Sequence, residues 1–222
     1  MQWFSDHLGY VLDAFWLTVR LSLLSGAISL ALGALLAVLS VSAIPIMRAT
    51  ARAYVLILRN TPLTLILFFC SFGLWQNLGL TYSATITTNN MWLAVTGLSA
   101  YTAAFSCEAI RAGINTVPHG QVEAARALGL GFGHIILRVI LPQATRRVVG
   151  PLGSVYSAMI KNTTVAAAIG VGEAALVMKE MIEDYGNEVL SIFAGFSLGF
   201  VILTLPLGLA SSRLASNWTV NT

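Results

Sequence analysis

Charged side chains are scarce in this sequence, so each one in an apolar stretch is a candidate for function or for structural pairing. Asp, Glu, Lys and Arg together make up 9% of the 222 residues. Glu108 and Arg111 stand three positions apart, a spacing at which helical side chains meet on one face. Because charges in membrane-embedded helices tend to pair with one another, we interpret these two residues as a structural ion pair.

Lys161 is the second candidate for chemistry. Three polar residues follow it in an otherwise apolar stretch: Asn162, Thr163 and Thr164. An ionisable group in such a setting usually faces the interior of a helix bundle or a water-filled cavity. We therefore predict that these four residues line a pathway or form a gate, with the ammonium near a solute carboxylate. Two alternatives stay open: Lys161 extends to the outer lipid headgroups, or it pairs with Glu108 or Glu173.

Several kinds of active site are not expected, because their sequence patterns are missing. No GxxxxGK[ST] phosphate-binding loop is present, so we do not expect the chain to hydrolyse ATP by itself. We see no paired catalytic constellation, so the chain is not expected to be an enzyme. The histidines and cysteines lack metal-ligand spacing, so neither a metal nor a cofactor is expected on this chain: His7, His119, His134, Cys70 and Cys107.

The elements that carry these residues follow from the composition. Hydrophobic residues make up 57% of the chain and its mean hydropathy is +0.81, too apolar for the surface of a soluble protein. The long stretches with no more than one charged residue each hold the roughly 20 residues that a membrane-spanning helix needs. They are apolar on all sides, which favours helices over a barrel. We predict an all-α membrane protein, with residues 1–222 as one transmembrane domain and five spans: about 18–43, 62–80, 91–111, 148–170 and 189–211.

The basic residues predict the orientation. Arginines occur before the second span and between the third and fourth, whereas acidic residues dominate near the N-terminus and at 171–188. Basic residues accumulate in cytoplasmic loops, so we expect the N-terminus outside and the C-terminus inside. The net charge of +3 then reflects topology and anionic membrane lipid, and no arginine–aromatic pattern indicates nucleic acid. Lys161 stands thirteen positions after residue 148, which predicts a depth of roughly 20 Å from the inner end of the fourth span.

The segment 112–147, between the third and fourth spans, is too long for a simple turn. Pro118 suits the first position of a helix, and the residues after it are mostly strong helix formers. Gly129 provides a C-cap, and an apolar stretch at 135–141 leads back to the membrane. A short cytoplasmic helix, a glycine corner and a returning segment form a shape that another protein can bind.

This loop carries one gapped pattern of residues: Glu123, Ala124, Ala125, Gly129, Val139, Leu141 and Pro142. The pattern resembles the EAA loop of the permease subunits of ABC importers, with Val139 where isoleucine is commoner. Further stretches resemble the polar amino-acid branch of that family: 59–63, 100–105, 117–121, 142–144 and 160–164. The resemblance covers about 16–212, nearly the whole chain.

The resemblance implies a function and a set of partners. Such permeases work in pairs, as two identical or two homologous chains, and an external amino-acid-binding protein delivers the substrate. Each EAA loop sits in a groove of a cytoplasmic ATP-binding subunit dimer, which holds ATP and Mg²⁺. The residues implied to couple the chain to the ATPase are Glu123, Ala124, Ala125, Arg126, Gly129, Leu141 and Pro142. The implied function is import of a polar amino acid such as glutamate, glutamine, histidine or arginine across the prokaryotic inner membrane.

Two other classes of transport protein remain as alternatives. An ion-coupled secondary amino-acid transporter usually has acidic residues or broken helices at mid-membrane, where this sequence places only Lys161. A channel needs a selectivity ring, and none is evident in the sequence. Neither class explains the loop at 112–147. Loss of transport on removal of ATP, at constant ion gradients, distinguishes the ATP-driven importer from both.

Overall fold

The computed structural model describes the backbone of residues 2–42 and 44–219, and within these residues it contains helices and no strand. Nine α-helices follow one another within this described part: α1 (Gln2–Ser40), α2 (Pro45–Asn60), α3 (Leu63–Phe68), α4 (Ile86–Ile114), α5 (His119–Ala127), α6 (Phe132–Ile135), α7 (Leu141–Asn162), α8 (Ala174–Asp184) and α9 (Val189–Thr219). A π-helix at Phe69–Asn77 extends α3, and another at Ile136–Ile140 joins α6 to α7. The 3₁₀ segments Thr163–Ile169 and Gly186–Glu188 follow α7 and precede α9.

Three helical stretches among the described residues are long and apolar enough to cross a membrane: His7–Ser40, Ile86–Ile114 and Gly186–Ser216. A fourth candidate is the pair formed by α2 and the extended α3, whose axes differ by 106° at a short break. The all-helical membrane fold predicted from the sequence is thus confirmed. Helices α1, α4 and α9 are longer than the spans predicted for them, whereas the helical segment at 63–77 is shorter than the predicted 62–80.

Helix α2 was predicted as loop, and its composition explains why. It contains three arginines and several small residues, so an average over the stretch shows no apolar span: Arg48, Arg52 and Arg59. Pro45 starts the helix, where a missing N–H costs nothing. Ala51 and Val55 are buried against the rest of the protein, and Tyr54 donates a hydrogen bond of 2.8 Å to the Ala100 carbonyl of α4. Burial of one face stabilises this helix.

Helices α1 and α4 pack side by side along much of their length. A Cβ atom added to Gly33 of α1 would lie 2.6 Å from Cβ of Ser106 on α4, which is closer than the two atoms can approach. Leu36, Ala37 and Ala104 are buried in the same contact. Small residues therefore set the distance between these two helices, as is common in membrane proteins.

Helix α7 lies between α4 and α9 and is in close contact with both helices. A Cβ on Gly113 of α4 would overlap the side chain of Val148 on α7. A Cβ on Gly153 of α7 would overlap Ser211 on α9. Glycine is thus required on one side of each contact, and at these two points the helices touch without spare room between them.

Candidate functional site

The loop between α4 and α7 contains the helix predicted from the sequence. Helix α5 begins at His119, with Pro118 as its N-cap, and it ends at a glycine with a left-handed backbone, Gly129, whose φ is +77°. The Leu130 N–H donates to the Ala125 carbonyl over 3.1 Å and the Gly129 N–H donates to Arg126 over 2.9 Å. This pair of bonds is a Schellman motif, and the positive φ explains why glycine occupies the position. The predicted end of the helix at Gly129 is confirmed.

Helix α5 presents a mixed surface to the outside of the chain. Glu123, Ala124 and Arg126 are exposed, whereas Ala125 is 6% exposed and faces the rest of the loop. Leu128 projects at the end of the helix with 81% of its surface exposed. A short helix with an exposed leucine, an exposed alanine and both signs of charge has the features of a docking surface: apolar area for affinity and charges for orientation.

The returning segment leads from the glycine corner into α7 without a break. Ile135 is buried, and a π-helical stretch at Ile136–Ile140 continues directly into α7 at Leu141. The side chain of Gln143 donates a hydrogen bond of 2.6 Å to Gln121 of α5, which ties the two parts of the loop together. Leu141 is 47% exposed and Pro142 is also exposed, on the same part of the chain as α5.

The polar patch that begins at Lys161 lies at the opposite end of α7. Because α7 begins at Leu141 and not at 148, Lys161 stands 20 residues along it (161 − 141), roughly 30 Å from its start. The depth of 20 Å predicted from the sequence was counted from residue 148, seven residues after the helix begins (148 − 141), and it stays a prediction. From the sequence, the apolar stretch at 135–141 was assigned to the loop, but in the structure it is already helical.

After Asn162 the helix tightens into 3₁₀ geometry. The Thr163 hydroxyl donates to the Ile160 carbonyl at 2.7 Å, and the Thr164 hydroxyl donates to the Lys161 carbonyl at 2.8 Å. Thr163 is fully buried, whereas Lys161 is exposed in the single chain. The protons of the threonine hydroxyls are thus used by the backbone, so the lysine and the asparagine are the groups of this patch that can donate to a solute.

Two cavities flank this end of α7. One, of about 570 Å³, lies between α7 and α9 and is lined by small and hydroxyl residues beside Lys161: Gly150, Ser154, Ser157, Gly208, Ser211, Ser212 and Ala215. The other, of about 320 Å³, lies between α4 and α7 and reaches Asn162, with Tyr101, Thr102 and Phe105 on the α4 side. The hydroxyl group of Ser157 is buried and has no hydrogen-bond partner among the described residues.

Glu108 is held by two arginines. Arg111 Nη2 lies 2.9 Å from Glu108 Oε1, and Arg59 Nη1 at the end of α2 lies 3.1 Å from Oε2. Arg59 also stacks over the ring of Phe105, with 5.5 Å from the guanidinium carbon to the ring centroid. Sequence reasoning missed the role of Arg59, although the residue begins the 59–63 stretch that the resemblance had singled out.

Lys161 pairs with neither of the acids proposed for it. Glu108 is engaged by arginines, and Glu173 accepts hydrogen bonds from backbone N–H groups, at 3.0 Å from Ala175 and 3.2 Å from Leu176. No ion pair of Lys161 is found among the described residues. The structural pairing considered for this lysine is therefore wrong for the single chain.

Glu173 is a second feature that the sequence did not reveal. It is fully buried at the N-terminus of α8, where the neighbouring Ala174 N–H donates to the hydroxyl of Thr18 on α1 over 3.1 Å. Burial raises the pKa of this carboxyl from 4.5 to about 7, although its two backbone hydrogen bonds act in the opposite direction. In the sequence, Glu173 stands three residues before Leu176 and directly before a run of helix-forming residues. A residue in that position indicates an N-cap.

The chain has extensive similarity to known transport proteins. Residues 29–217 match the family described as "Binding-protein-dependent transport system inner membrane component". The chain is 50% identical over 215 residues to the glutamate transport system permease protein of Corynebacterium efficiens, covering 95% of this chain and 94% of that protein. It is 32% identical over 209 residues to a probable glutamine ABC transporter permease protein of Bacillus subtilis, covering 94% of this chain and 93% of the relative.

Solved structures agree with the sequence relatives. A crystal structure of an amino acid ABC transporter with histidines superposes with a TM-score of 0.81 at 25% identity, covering 96% of each chain. An inward-facing MetNI methionine ABC transporter shares the fold, with a TM-score of 0.73 at 21% identity over 96% of this chain and 98% of the other. The chain therefore belongs to the family of inner-membrane components of binding-protein-dependent transport systems, and is a multi-pass protein of the bacterial inner membrane.

Proposed function

We propose that this chain forms half of the translocation pathway of an ATP-driven importer for a polar amino acid, with glutamate as the first substrate to test. The observation that carries the proposal is the 50% identity, over 95% of the chain, to a glutamate transport system permease. The exposed helix α5 with its glycine cap provides the surface through which such a subunit meets an ATPase. Glutamine, histidine and arginine are the other substrates of this class.

In the proposed arrangement residues 1–222 form one transmembrane domain with five spans, the N-terminus outside and the C-terminus inside. The fourth of these spans, formed by α7 and its 3₁₀ extension, is less apolar than the others because α7 carries Arg146, Arg147 and Lys161. Its close packing against α4 and α9 supports the assignment, since a polar helix can cross a membrane when neighbouring helices cover it.

Coupling is assigned to the loop at 112–147. Glu123, Ala124 and Arg126 make the exposed contact with a cytoplasmic ATP-binding subunit, which holds ATP and Mg²⁺. Ala125 and Gly129 fix the shape of the helix, and Leu141 and Pro142 begin the helix that leads away from the contact. Closure of two ATPase subunits would then tilt two permease chains, identical or homologous, and expose the pathway alternately to each side.

The pathway is assigned to the polar end of α7. Lys161 and Asn162 offer side-chain donors to the two cavities, and the hydroxyls of Thr163 and Thr164 bond to the backbone of the same helix end. A lysine in a hydroxyl-lined groove suits a carboxylate, and an external binding protein would deliver the amino acid to this side.

The test of coupling is Glu123→Lys in the assembled complex, compared with Glu183→Lys. Both substitutions make the same change of charge, but Glu183 is exposed on α8, far along the chain from α5, and only faces Lys179. We expect Glu123→Lys to lower ATP-dependent uptake of labelled glutamate by at least tenfold in proteoliposomes, because a reversed charge opposes docking. The control variant should retain more than half of the wild-type rate.

Two results would contradict the proposal. Full uptake by Glu123→Lys in a complex shown to be assembled normally would remove the coupling role from this residue. Uptake that continues without ATP while ion gradients are held would instead favour an ion-coupled secondary transporter or a channel.

A further inference from the structure

A cavity of about 760 Å³ lies between the end of α1, one face of α2 and the inner part of α4. Its polar lining includes one serine, three arginines, one glutamate and two asparagines: Ser40, Arg52, Arg59, Arg111, Glu108, Asn60 and Asn115. This cavity is separate from the polar patch at the other end of α7, and the proposed transport function does not use it.

The charges in this cavity are unbalanced. Arg59 and Arg111 share the single carboxylate of Glu108, and no ion pair of Arg52 is found among the described residues. Three guanidinium groups and one carboxylate leave a net charge of +2 (3 − 1) around one open volume. Each guanidinium has five N–H donors, more than one carboxylate can satisfy, so donors remain for an anion.

The rim of the cavity is apolar. Leu56 is 66% exposed and Val41 is 49% exposed, and both line the cavity beside the arginines. Ile57, on the next position of α2, is 60% exposed. A soluble anion gains nothing from such a rim, whereas a molecule with a charged head and hydrocarbon tails satisfies both parts of the site.

The position of the cavity matches the level of lipid headgroups. Helix α2 lies at 106° to the extended α3, so it runs close to the membrane plane when α3 crosses the membrane. Glu108 stands six residues before the end of α4 (114 − 108), roughly 9 Å along the helix axis. Amphipathic helices with basic residues lie at this boundary, and basic pockets between helices on the cytoplasmic side bind anionic headgroups.

We propose that this cavity binds the phosphate of one anionic phospholipid of the inner leaflet, with Arg52 as the unpaired guanidinium that selects the negative charge. The acyl chains lie along Leu56 and Val41. Only the assignment to the inner leaflet rests on the proposed orientation; the binding itself can be measured without transport, so the two can fail separately.

The experiment is native mass spectrometry of the full chain, with whatever subunits assemble with it, in a neutral detergent. Phosphatidylglycerol and phosphatidylcholine with identical acyl chains are titrated against the wild type, Arg52→Gln and Arg48→Gln. Arg48 is the matched control, because it stands one turn earlier on α2 and does not line the cavity. We expect the wild type to bind one phosphatidylglycerol more tightly than phosphatidylcholine. The affinity for phosphatidylglycerol should be about fivefold weaker in Arg52→Gln and within twofold of the wild type in Arg48→Gln.

A third variant tests whether removal of a negative charge from the cavity strengthens the binding of the anionic lipid. Glu108→Gln removes the carboxylate that competes for Arg59 and Arg111, so phosphatidylglycerol should bind more tightly than in the wild type. Equal losses in Arg52→Gln and Arg48→Gln would show general attraction to a basic surface and would overturn the proposal. No preference for phosphatidylglycerol, or its displacement by millimolar inorganic phosphate, would overturn it as well.

Discussion

Two glutamates at opposite ends of the helix bundle are stabilised in different ways. Glu108 near the inner end of α4 is 31% exposed and contacts two arginines, which are themselves more than 40% exposed. Glu173 at the start of α8 is fully buried, and backbone N–H groups are its hydrogen-bond donors. Glu108 thus meets full positive charges, whereas Glu173 meets the partial charges of a helix N-terminus and the hydroxyl of Thr18.

This difference predicts whether salt and anions, or pH, have the larger effect on each region. A half-exposed ion cluster is screened by salt and contributes little to stability, but its excess positive charge attracts anions. A buried acid without a cationic partner carries a large desolvation cost in its ionised form, so its region depends on pH. We therefore expect the region around Glu108 to respond to anions and salt, and the packing of α8 against α1 around Glu173 to respond to pH.

The largest effect is expected from Glu173→Ala. The substitution removes the N-cap of α8 and leaves a void in a fully buried position, and together these cost roughly 3–5 kcal/mol of unfolding free energy at pH 5. Thermal unfolding of the purified chain in detergent measures the loss. A change below about 1 kcal/mol would mean that α8 is held by its apolar face alone, and the comparison between the two acids would fail.

The next effect is a dependence of stability on pH. In the unfolded chain the Glu173 carboxyl titrates near 4.5, and in the folded protein near 7. Above pH 4.5 the unfolded state releases a proton that the folded state retains, so stability should fall by up to about 3 kcal/mol as pH rises to about 7 and then level off.

Glu173→Gln is the matched variant for this pH effect. It keeps the volume and a side-chain acceptor for the cap but cannot ionise, so its stability should be level over this range and at least equal to that of the wild type at pH 8. Parallel pH profiles of the two proteins would assign the dependence to other groups.

The smallest effect is expected from Glu108→Gln. Because the three side chains are partly exposed, the loss should stay within about 1 kcal/mol, and 0.5 M salt should reduce it further. Thermal unfolding at low and high salt tests both points. A loss above 3 kcal/mol that salt does not change would show that Glu108 is effectively as buried as Glu173, and the two regions would no longer differ in kind.

The structure of the loop at 112–147 was predictable because its signals are local. Helix formers, a glycine at the C-cap and a returning apolar stretch lie close together in sequence, and each acts through its own backbone. The loop helix and its glycine end were therefore found within a residue or two. The long apolar helices were found for a similar reason, since their signal is composition over many residues.

The charged clusters were not predictable in the same way. Arg59 reaches Glu108 across 49 positions of sequence, and Thr18 meets the start of α8 across 156. Such contacts depend on the bend between α2 and α3 and on how α1 packs, and neither leaves a local pattern. Helix α2 was missed because its arginines lowered the average hydropathy, although their spacing along one face was visible in the sequence.

The two glycine contacts of α7 determine how force can travel through the molecule. Gly113 and Gly153 leave no room for α7 to slide past α4 or α9, and α7 runs from Leu141, at the end of the loop at 112–147, to Asn162. We expect a displacement at the loop to carry all three helices with it as one lever, so that the wall of the pathway turns rather than bends. A bulkier side chain at either glycine would separate the lever from its neighbours and leave the loop moving alone.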